Sequence, residues 1–310
     1  MEKLLTQHIE KYLYYCETQK NLNHKTLKAY RIDLAQYAAF TSEKFPQPLS
    51  KEALSQYISF LHIHCQPKTV KRKIACLKTF THFLFMEEMI ESNPFQKINT
   101  SYREPLRLPK TIPPSTIEKF LSQLYISRSA AKTPFQRKNA LRDIAVIELL
   151  FATGMRISEL CSLKRRDLDL QEKKVLIYGK GAKERVIYIG STAVIALLDS
   201  YITVFSDQLI DEGWLFLNQR KNRLSEQSVR NMINKYARQA EIQQHITPHM
   251  FRHSFATLLL ESDVDIRYIQ KLLGHSSITT TEIYTQVSTR KQREILCSKH
   301  PRNKMDIDAG

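Results

Sequence analysis

Prolines are concentrated in one stretch of the chain, between Asn93 and Pro114. Five of the 11 prolines of this 310-residue sequence lie there, and the stretch has no helical or strand-like periodicity. Because proline disrupts helices and restricts the residue before it, such a segment cannot continue a regular element. The stretch therefore divides the chain, whose length is sufficient for two domains. We predict a domain over residues 1–100, a linker over 101–114 and a second domain over 115–287.

The first domain is predicted to be all-α. Apolar residues recur three or four positions apart in successive windows, the spacing of amphipathic helices, and no strand-like alternation interrupts them. Ser50 fits the N-cap of the third helix. The fourth helix, over about residues 68–86, contains no acidic residue. Its basic residues are Lys68, Lys71, Arg72, Lys73 and Lys78.

The second domain shows a different pattern. Lys174–Tyr178 and Arg185–Ile189 are short β-rich runs joined by a basic, glycine-containing turn, which predicts a hairpin. Residues 214–217 are a candidate third strand. The predicted fold class is therefore mainly α with a small β-sheet, in which an all-α domain is followed by an α+β domain.

Helices are predicted on both sides of this hairpin. One begins near Ser115, residues 128–138 are interpreted as a basic polar loop, and a strongly apolar helix over 141–152 stops at Gly154. The later helices are predicted over residues 191–204, 225–240, 248–261, 266–273 and 280–287.

The charge of the chain indicates a polyanionic partner. Lys and Arg number 47 against 31 Asp and Glu, for a net charge of +16 and an isoelectric point near 9.6. An excess of this size is typical of nucleic-acid binding. The basic helix is the candidate to contact the backbone of that nucleic acid, the alternative being a merely solvated surface.

Composition excludes several other classes. An apolar fraction of 42% and a charged fraction of 25% exclude disorder of the whole chain. No apolar stretch is long enough to span a bilayer, and the charged N-terminal segment does not resemble a secretory signal. Five cysteines at scattered spacings indicate reduced thiols, so we expect a cytoplasmic protein. His62, His64 and Cys65 lack a second ligand pair, so no metal and no cofactor is predicted.

Three separated segments place charged and nucleophilic residues at the ends of predicted helices. Each segment alone is more often a structural feature than a site. The candidate residues are Arg156 in the first, His249 and Arg252 in the second, and His275 and Tyr284 in the third. The role of a further histidine beside Arg252, at position 253, stays open.

Together with the hairpin, these segments resemble the signature of the tyrosine recombinases, the phage-integrase and Xer-type site-specific recombinases. The matching pieces are TGMRISEL, GKGAKER, TPHMFRHSFAT and LLGHSSITTTEIYTQV, in that order along the second domain. The first domain is more loosely similar to the core-binding domain of that family. The resemblance implies two domains that close as a clamp around duplex DNA.

The resemblance also implies a role for each candidate residue. Tyr284 would attack the scissile phosphate, Arg156 and Arg252 would bind its non-bridging oxygens, and Lys180 would protonate the leaving 5′ oxygen. For the lysine role, Lys183 in the same turn is the other candidate. By the same resemblance, His249 is implied as the general base or proton shuttle and His275 as a donor to the transition state. Glu159 is expected to orient an active-site group, with Arg156 itself one possibility.

The function implied is site-specific recombination of DNA through a 3′-phosphotyrosine intermediate and a Holliday junction, by a homotetramer on two sites, without metal or ATP. Residues 288–310 would form a tail that either docks on a neighbouring protomer or stays mobile. Three alternatives remain from the residues alone: a non-cleaving DNA-binding protein on the same fold, a type IB topoisomerase-like or telomere-resolving enzyme, and a basic RNA-binding protein.

Overall fold

The chain divides into two compact units, Met1–Leu106 and Arg107–Gly310. The computed structural model describes residues 2–42, 44–100, 110–179 and 184–274. The boundary falls inside the predicted linker, of which residues 101–109 lie outside the described residues. The helix predicted over 280–287 and the tail over 288–310 also lie outside them. In the part of the chain that is described, no helix is long and apolar enough to cross a membrane.

Over the residues that the structure describes, the first unit is all-α, as predicted. Its helices are α1 (Glu2–Thr18), α2 (His24–Ser42), α3 (Lys51–His64) and α4 (Pro67–Met86), followed by a short 3₁₀ helix, Pro94–Lys97. The 3₁₀ helix lies within the proline-rich stretch and packs against α3 and α4, so the start of that stretch belongs to the first unit.

Aromatic side chains fill the interior of the first unit. Tyr37, Tyr57 and Phe80 are fully buried among leucines. The rings of Tyr37 and Tyr57 meet edge to face with their centroids 5.0 Å apart, a favourable arrangement for two quadrupoles. The predicted N-cap is confirmed, because the Ser50 hydroxyl accepts a hydrogen bond from the Ala53 N–H at the start of α3.

A buried carboxylate joins α2 to α4. Asp33 is only 2% exposed, and it accepts hydrogen bonds from the Lys73 ammonium at 3.0 Å and from the Arg72 guanidinium. Lys73 is buried too and also donates to Gln36. The Arg72 side chain stays 44% exposed, so the carboxylate holds one cation inside the unit and one at its surface.

The described residues of the second unit form seven α-helices and one sheet. The helices are α5 (Pro114–Ser129), α6 (Pro134–Thr153), α7 (Ile157–Cys161), α8 (Thr192–Val204), α9 (Glu226–Gln239), α10 (Pro248–Glu261) and α11 (Ile266–Leu273). The antiparallel sheet has the order β1 (Leu168–Asp169), β2 (Lys174–Tyr178), β3 (Glu184–Tyr188). The predicted fold class is confirmed.

Two local predictions for this unit are wrong. The loop predicted over 128–138 is confined to four residues, because α6 begins at Pro134 behind a capping box formed by Thr133 and Gln136. Residues 214–217 form no strand. They contribute only isolated bridges, which pair Lys164 with Trp214 and Leu217 with Arg223.

Helix α6 runs through the centre of the second unit. Most of its length is buried, and it packs against α5, α8 and α10. It ends at Gly154, whose φ of 58° favours glycine. A Cβ on Gly154 would also lie 2.4 Å from the Phe255 ring of α10. The end of α6 is therefore held tightly against α10.

We expect that Asp33→Asn destabilises the first unit by about 3 kcal/mol, because it leaves the buried Lys73 ammonium without a carboxylate. The single tryptophan, Trp214, reports on the second unit. In urea denaturation of the full chain, part of the far-UV circular dichroism change should move to lower urea while the Trp214 fluorescence transition stays in place. The exposed variant Glu17→Gln is the matched control. Equal transitions for both variants would contradict a stabilising role for Asp33.

Candidate active site

The carboxyl ends of two helices meet in the second unit. Helix α6 is capped by Gly154 and helix α11 by Gly274, and both glycines adopt the left-handed backbone conformation. The ends of helices leave backbone carbonyl groups without intrahelical partners, and these ends carry partial negative charge. Both features attract cationic donors, and the sequence supplies three arginines here.

Arg252 connects the two helix ends. It lies in α10 and is 3% exposed. One guanidinium nitrogen donates to the Gly154 carbonyl at 2.8 Å and the other to the Leu273 carbonyl at 2.6 Å. Pro248 begins α10 at its first position behind the Thr247 cap, as predicted, which sets where Arg252 falls on the helix.

Arg156 and Glu159 form a closed pair at the start of α7. The Glu159 carboxylate accepts from the Arg156 backbone N–H and from its guanidinium, both at 2.8 Å. Of the groups that Glu159 was expected to orient, the structure therefore shows Arg156 as a hydrogen-bond partner. Glu159 is buried, whereas the Arg156 side chain is 36% exposed, so its guanidinium reaches the surface.

Sequence reasoning missed Arg185, which occupies the other side of Glu159. From β3, its two terminal nitrogens donate to the two carboxylate oxygens at 3.1 and 2.7 Å. Its Nε donates to the Leu272 carbonyl at 2.9 Å. The side chain is 12% exposed. The missed signal is strand alternation, because Arg185 lies on the same face of β3 as the buried Ile187, where an arginine requires an acidic partner.

The three arginines are brought to three consecutive carbonyl groups at the end of α11. Arg185 donates to Leu272 and Arg252 to Leu273, and the Arg156 guanidinium lies 3.5 Å from the Gly274 oxygen. Arg156, Glu159, Arg185 and Arg252 are called the arginine cluster below. Residues far apart in the sequence thus converge, as the resemblance implied for Arg156 and Arg252.

The charge state of Glu159 follows from its neighbours. Burial by itself would raise the pKa of this carboxyl group, but hydrogen bonds from Arg185 and from Arg156 outweigh that effect. The pKa is therefore held below the ordinary glutamate value of 4.5. At neutral pH the carboxylate is ionised, so the arginine cluster contains three guanidinium groups and one carboxylate. The cluster is suited to binding an anion.

Of the other candidate residues, one lies in the described part of the chain. His249 is exposed in the first turn of α10, three residues before Arg252, so the two are neighbours on that helix. Lys180, His275 and Tyr284 lie outside the described residues. His275 directly follows Gly274, the last residue of the α11 cap.

The basic helix of the first unit is α4. Lys68, Lys71, Arg72 and Lys78 are exposed, but Lys73 is buried against Asp33. Four of the five residues predicted to contact DNA are thus exposed on α4. Lys73 is not available for such a contact, because its ammonium group is buried against Asp33. Within the described ranges, no group of three or more His, Cys, Asp or Glu side chains is arranged to hold a metal ion.

Comparison with known proteins decides the family. Residues 122–291 match the phage integrase family, and residues 9–88 match the phage integrase N-terminal SAM-like domain. The chain belongs to the phage integrase family. It is a tyrosine recombinase, and this enzyme class cleaves and rejoins DNA. The resemblance stated from the four motifs is confirmed.

Known relatives match this chain over nearly its whole length. A tyrosine recombinase of Agathobacter rectalis is 53% identical over 298 residues, covering 96% of this chain and 97% of the relative. A tyrosine recombinase XerD of Staphylococcus saprophyticus is 36% identical, covering 95% and 98%. A tyrosine recombinase XerC of Bacillus pumilus is 34% identical, covering 94% and 95%.

Solved structures show the same fold. The XerH site-specific recombinase bound to a palindromic difH substrate, a post-cleavage complex, superimposes with a TM-score of 0.76 at 23% identity, covering 94% of this chain and 83% of that one. The XerA recombinase gives a TM-score of 0.54 at 25% identity, covering 96% and 99%.

We expect that Glu159→Gln lowers the free energy of unfolding of the second unit by about 3 kcal/mol at neutral pH. Because the folded-state pKa lies below the unfolded value, the carboxylate stabilises the fold above pH 4.5, and this contribution is lost as the pH falls through the folded-state pKa. The difference between the two proteins, measured by urea denaturation through Trp214 fluorescence, should therefore shrink at acidic pH. A difference that stays constant with pH would contradict this origin. The exposed variant Glu172→Gln is the matched control.

Proposed function

We propose that this recombinase acts at specific sites on duplex DNA and that Tyr284 is its nucleophile. The phenolic oxygen attacks the scissile phosphorus, a tyrosine–phosphorus ester forms, and the bond to the 5′ oxygen breaks. The leaving 5′ oxygen takes up a proton and becomes a hydroxyl group. When a 5′ hydroxyl later attacks the phosphotyrosine bond, the strand is rejoined without ATP, because the bond energy has been conserved.

The observation that carries this proposal is the convergence of Arg156 and Arg252 at the end of α11. Attack on a phosphodiester adds negative charge to the non-bridging oxygens. A pre-positioned guanidinium stabilises that charge, and losing one such donor typically costs about 10²–10³-fold in rate. Arg156 is partly exposed and is held by a single ionised carboxylate, so its guanidinium is oriented before the substrate arrives.

The remaining roles in the proposal follow the family resemblance. Lys180 protonates the leaving oxygen, His249 moves a proton near the nucleophile, and His275 donates a hydrogen bond to the transition state. No metal is needed for this chemistry, because arginines supply the positive charge that a metal would otherwise provide.

The first unit is proposed to bind the same DNA through α4. Lys68, Lys71, Arg72 and Lys78 are exposed on one helix, and no acidic residue lies among them. Contacts of this kind bind the phosphate backbone and position the protein without reading the sequence. The hydrogen bond to Asp33 orients the guanidinium of Arg72.

At the level of the assembly, we propose that four copies act on two sites through a Holliday junction, in the cytoplasm. The relatives named tyrosine recombinase XerC and XerD support this proposal, and XerH, which shares the fold, is a site-specific recombinase bound to its difH substrate. Dimer resolution and the movement of a mobile element are both served by this chemistry.

Covalent capture tests the proposed nucleophile. Duplexes with randomised arms and a nick beside the scissile position trap the covalent intermediate, because the short cleaved strand diffuses away. We expect the wild type to become covalently linked to a subset of these duplexes, whereas Tyr284→Phe gives no adduct. The control variant is Tyr268→Phe, which removes an exposed tyrosine hydroxyl from α11.

The outcomes of this experiment are distinct. A persistent adduct in Tyr284→Phe would show that another residue attacks. Absence of adduct in the wild type would favour a non-cleaving DNA-binding protein. With the selected sequence placed twice on a supercoiled plasmid, exchange between the two copies supports recombination, and relaxation alone would indicate topoisomerase chemistry.

The salt dependence of binding tests the role of α4. We expect Lys71→Gln to weaken binding to the selected duplex and to reduce the slope of log affinity against log salt by about 1, because one phosphate contact is lost. Filter binding between 50 and 200 mM salt, roughly the range over which such contacts change affinity strongly, measures the slope. Lys11→Gln, an exposed lysine of α1, should leave it unchanged. An unchanged slope in Lys71→Gln would remove this residue from the interface.

A further inference from the structure

We propose that Arg185 is a positioning residue for DNA cleavage, acting on Arg156 through the carboxylate that the two arginines share. The inference rests on the proposed function. Arg185 contacts Glu159 and a backbone carbonyl, so its effect on the scissile phosphate is transmitted through these groups.

The geometry shows how Arg185 limits the hold of Glu159 on Arg156. Arg185 donates to both carboxylate oxygens, whereas the guanidinium of Arg156 donates to only one of them. Two parallel bonds between a guanidinium and a carboxylate are the stronger arrangement. The carboxylate is therefore committed mainly to the buried Arg185, and the partly exposed Arg156 is oriented without being neutralised.

Charge leads to the same conclusion. The pair of Arg185 and Glu159 is neutral, so the partly exposed Arg156 keeps its positive charge for the phosphate. If Arg185 lost its charge, Glu159 would compensate Arg156 instead, and the positive charge facing an anion would fall by one unit. The loss would be large because Glu159 is buried, where solvent screens interactions weakly.

Arg185 also ties the strand to the end of α11. Its Nε bonds to the Leu272 carbonyl, and the position of a Cβ on Gly274 would be only 3.1 Å from its Nη1. The positive φ of Gly274 and the close approach of Arg185 both favour glycine at this place. Arg185 therefore links β3 to α11 through the Leu272 carbonyl and to α7 through Glu159.

The experiment compares two versions of the duplex selected by the wild type. One carries the ordinary scissile phosphodiester. The other carries a methylphosphonate there, in which a methyl group replaces one non-bridging oxygen, so that the group is uncharged. We expect Arg185→Gln to form adduct on the phosphodiester about 10²-fold more slowly than the wild type, the cost of one misplaced charged donor. On the methylphosphonate the deficit should be at least about tenfold smaller, since less charge must be stabilised.

The ratio of the rate losses on the two substrates distinguishes a loss of positioning from a loss of folded protein. A variant that is merely less folded loses the same factor on both substrates. The matched control is Arg223→Gln, because Arg223 likewise donates to a backbone carbonyl, that of Cys161 at the end of α7, but makes no described contact with the arginine cluster. Arg223→Gln should show equal deficits or none. If Arg185→Gln does not fold by Trp214 fluorescence, Arg185→Lys takes its place. It keeps the charge but loses the two-oxygen contact, so its deficit should be smaller than about 10²-fold on the phosphodiester and should again be larger there than on the methylphosphonate.

Two results would overturn the proposal for Arg185: cleavage at the wild-type rate, or equal deficits on both substrates. Neither result affects the proposed function, which the wild-type adduct tests by itself. Conversely, a wild type that forms no adduct on either duplex would reject the function and not merely the role of Arg185.

Discussion

The site depends on one buried carboxylate. Glu159 stays ionised in the interior because two guanidinium groups and a backbone N–H bond to it, and it holds those groups in return. Leaving the buried carboxylate or the buried Arg185 without its partner would be costly. This interaction sets the orientation of Arg156, the more exposed of the two arginines proposed to bind the phosphate.

The helix ends supply the second constraint. Left-handed glycines end α6 and α11, and their terminal carbonyls are satisfied by Arg252. A side chain at Gly154 would collide with Phe255, so α6 and α10 approach more closely than larger residues would permit. The protein thus uses the same backbone groups that must be capped in any helix to bring arginines from distant segments to one place.

Much of this arrangement can be predicted from the sequence, because the residues that begin and end its helices are recognisable locally. Pro248, Gly154 and Gly274 mark helix boundaries that the structure confirms, and the recombinase motifs identify Arg156 and Arg252. What could not be predicted depends on pairing across the fold. Nothing local to Lys73 shows that its charge is buried against Asp33, and the partner of Arg185 lies 26 residues away at Glu159. The early start of α6 was predictable in principle, since Thr133 and Gln136 form a capping box.

Glu159 and Arg185 act as one unit in this site, and a double-mutant cycle tests that coupling most directly. The rate of adduct formation is measured for the wild type, Glu159→Gln, Arg185→Gln and the double variant. Residues that act as one unit are strongly non-additive. If the two residues act as one unit, the double variant forms adduct no more slowly than the slower of the two single variants. A double variant slowed by the product of the two single effects would contradict it, because the two residues would then act independently.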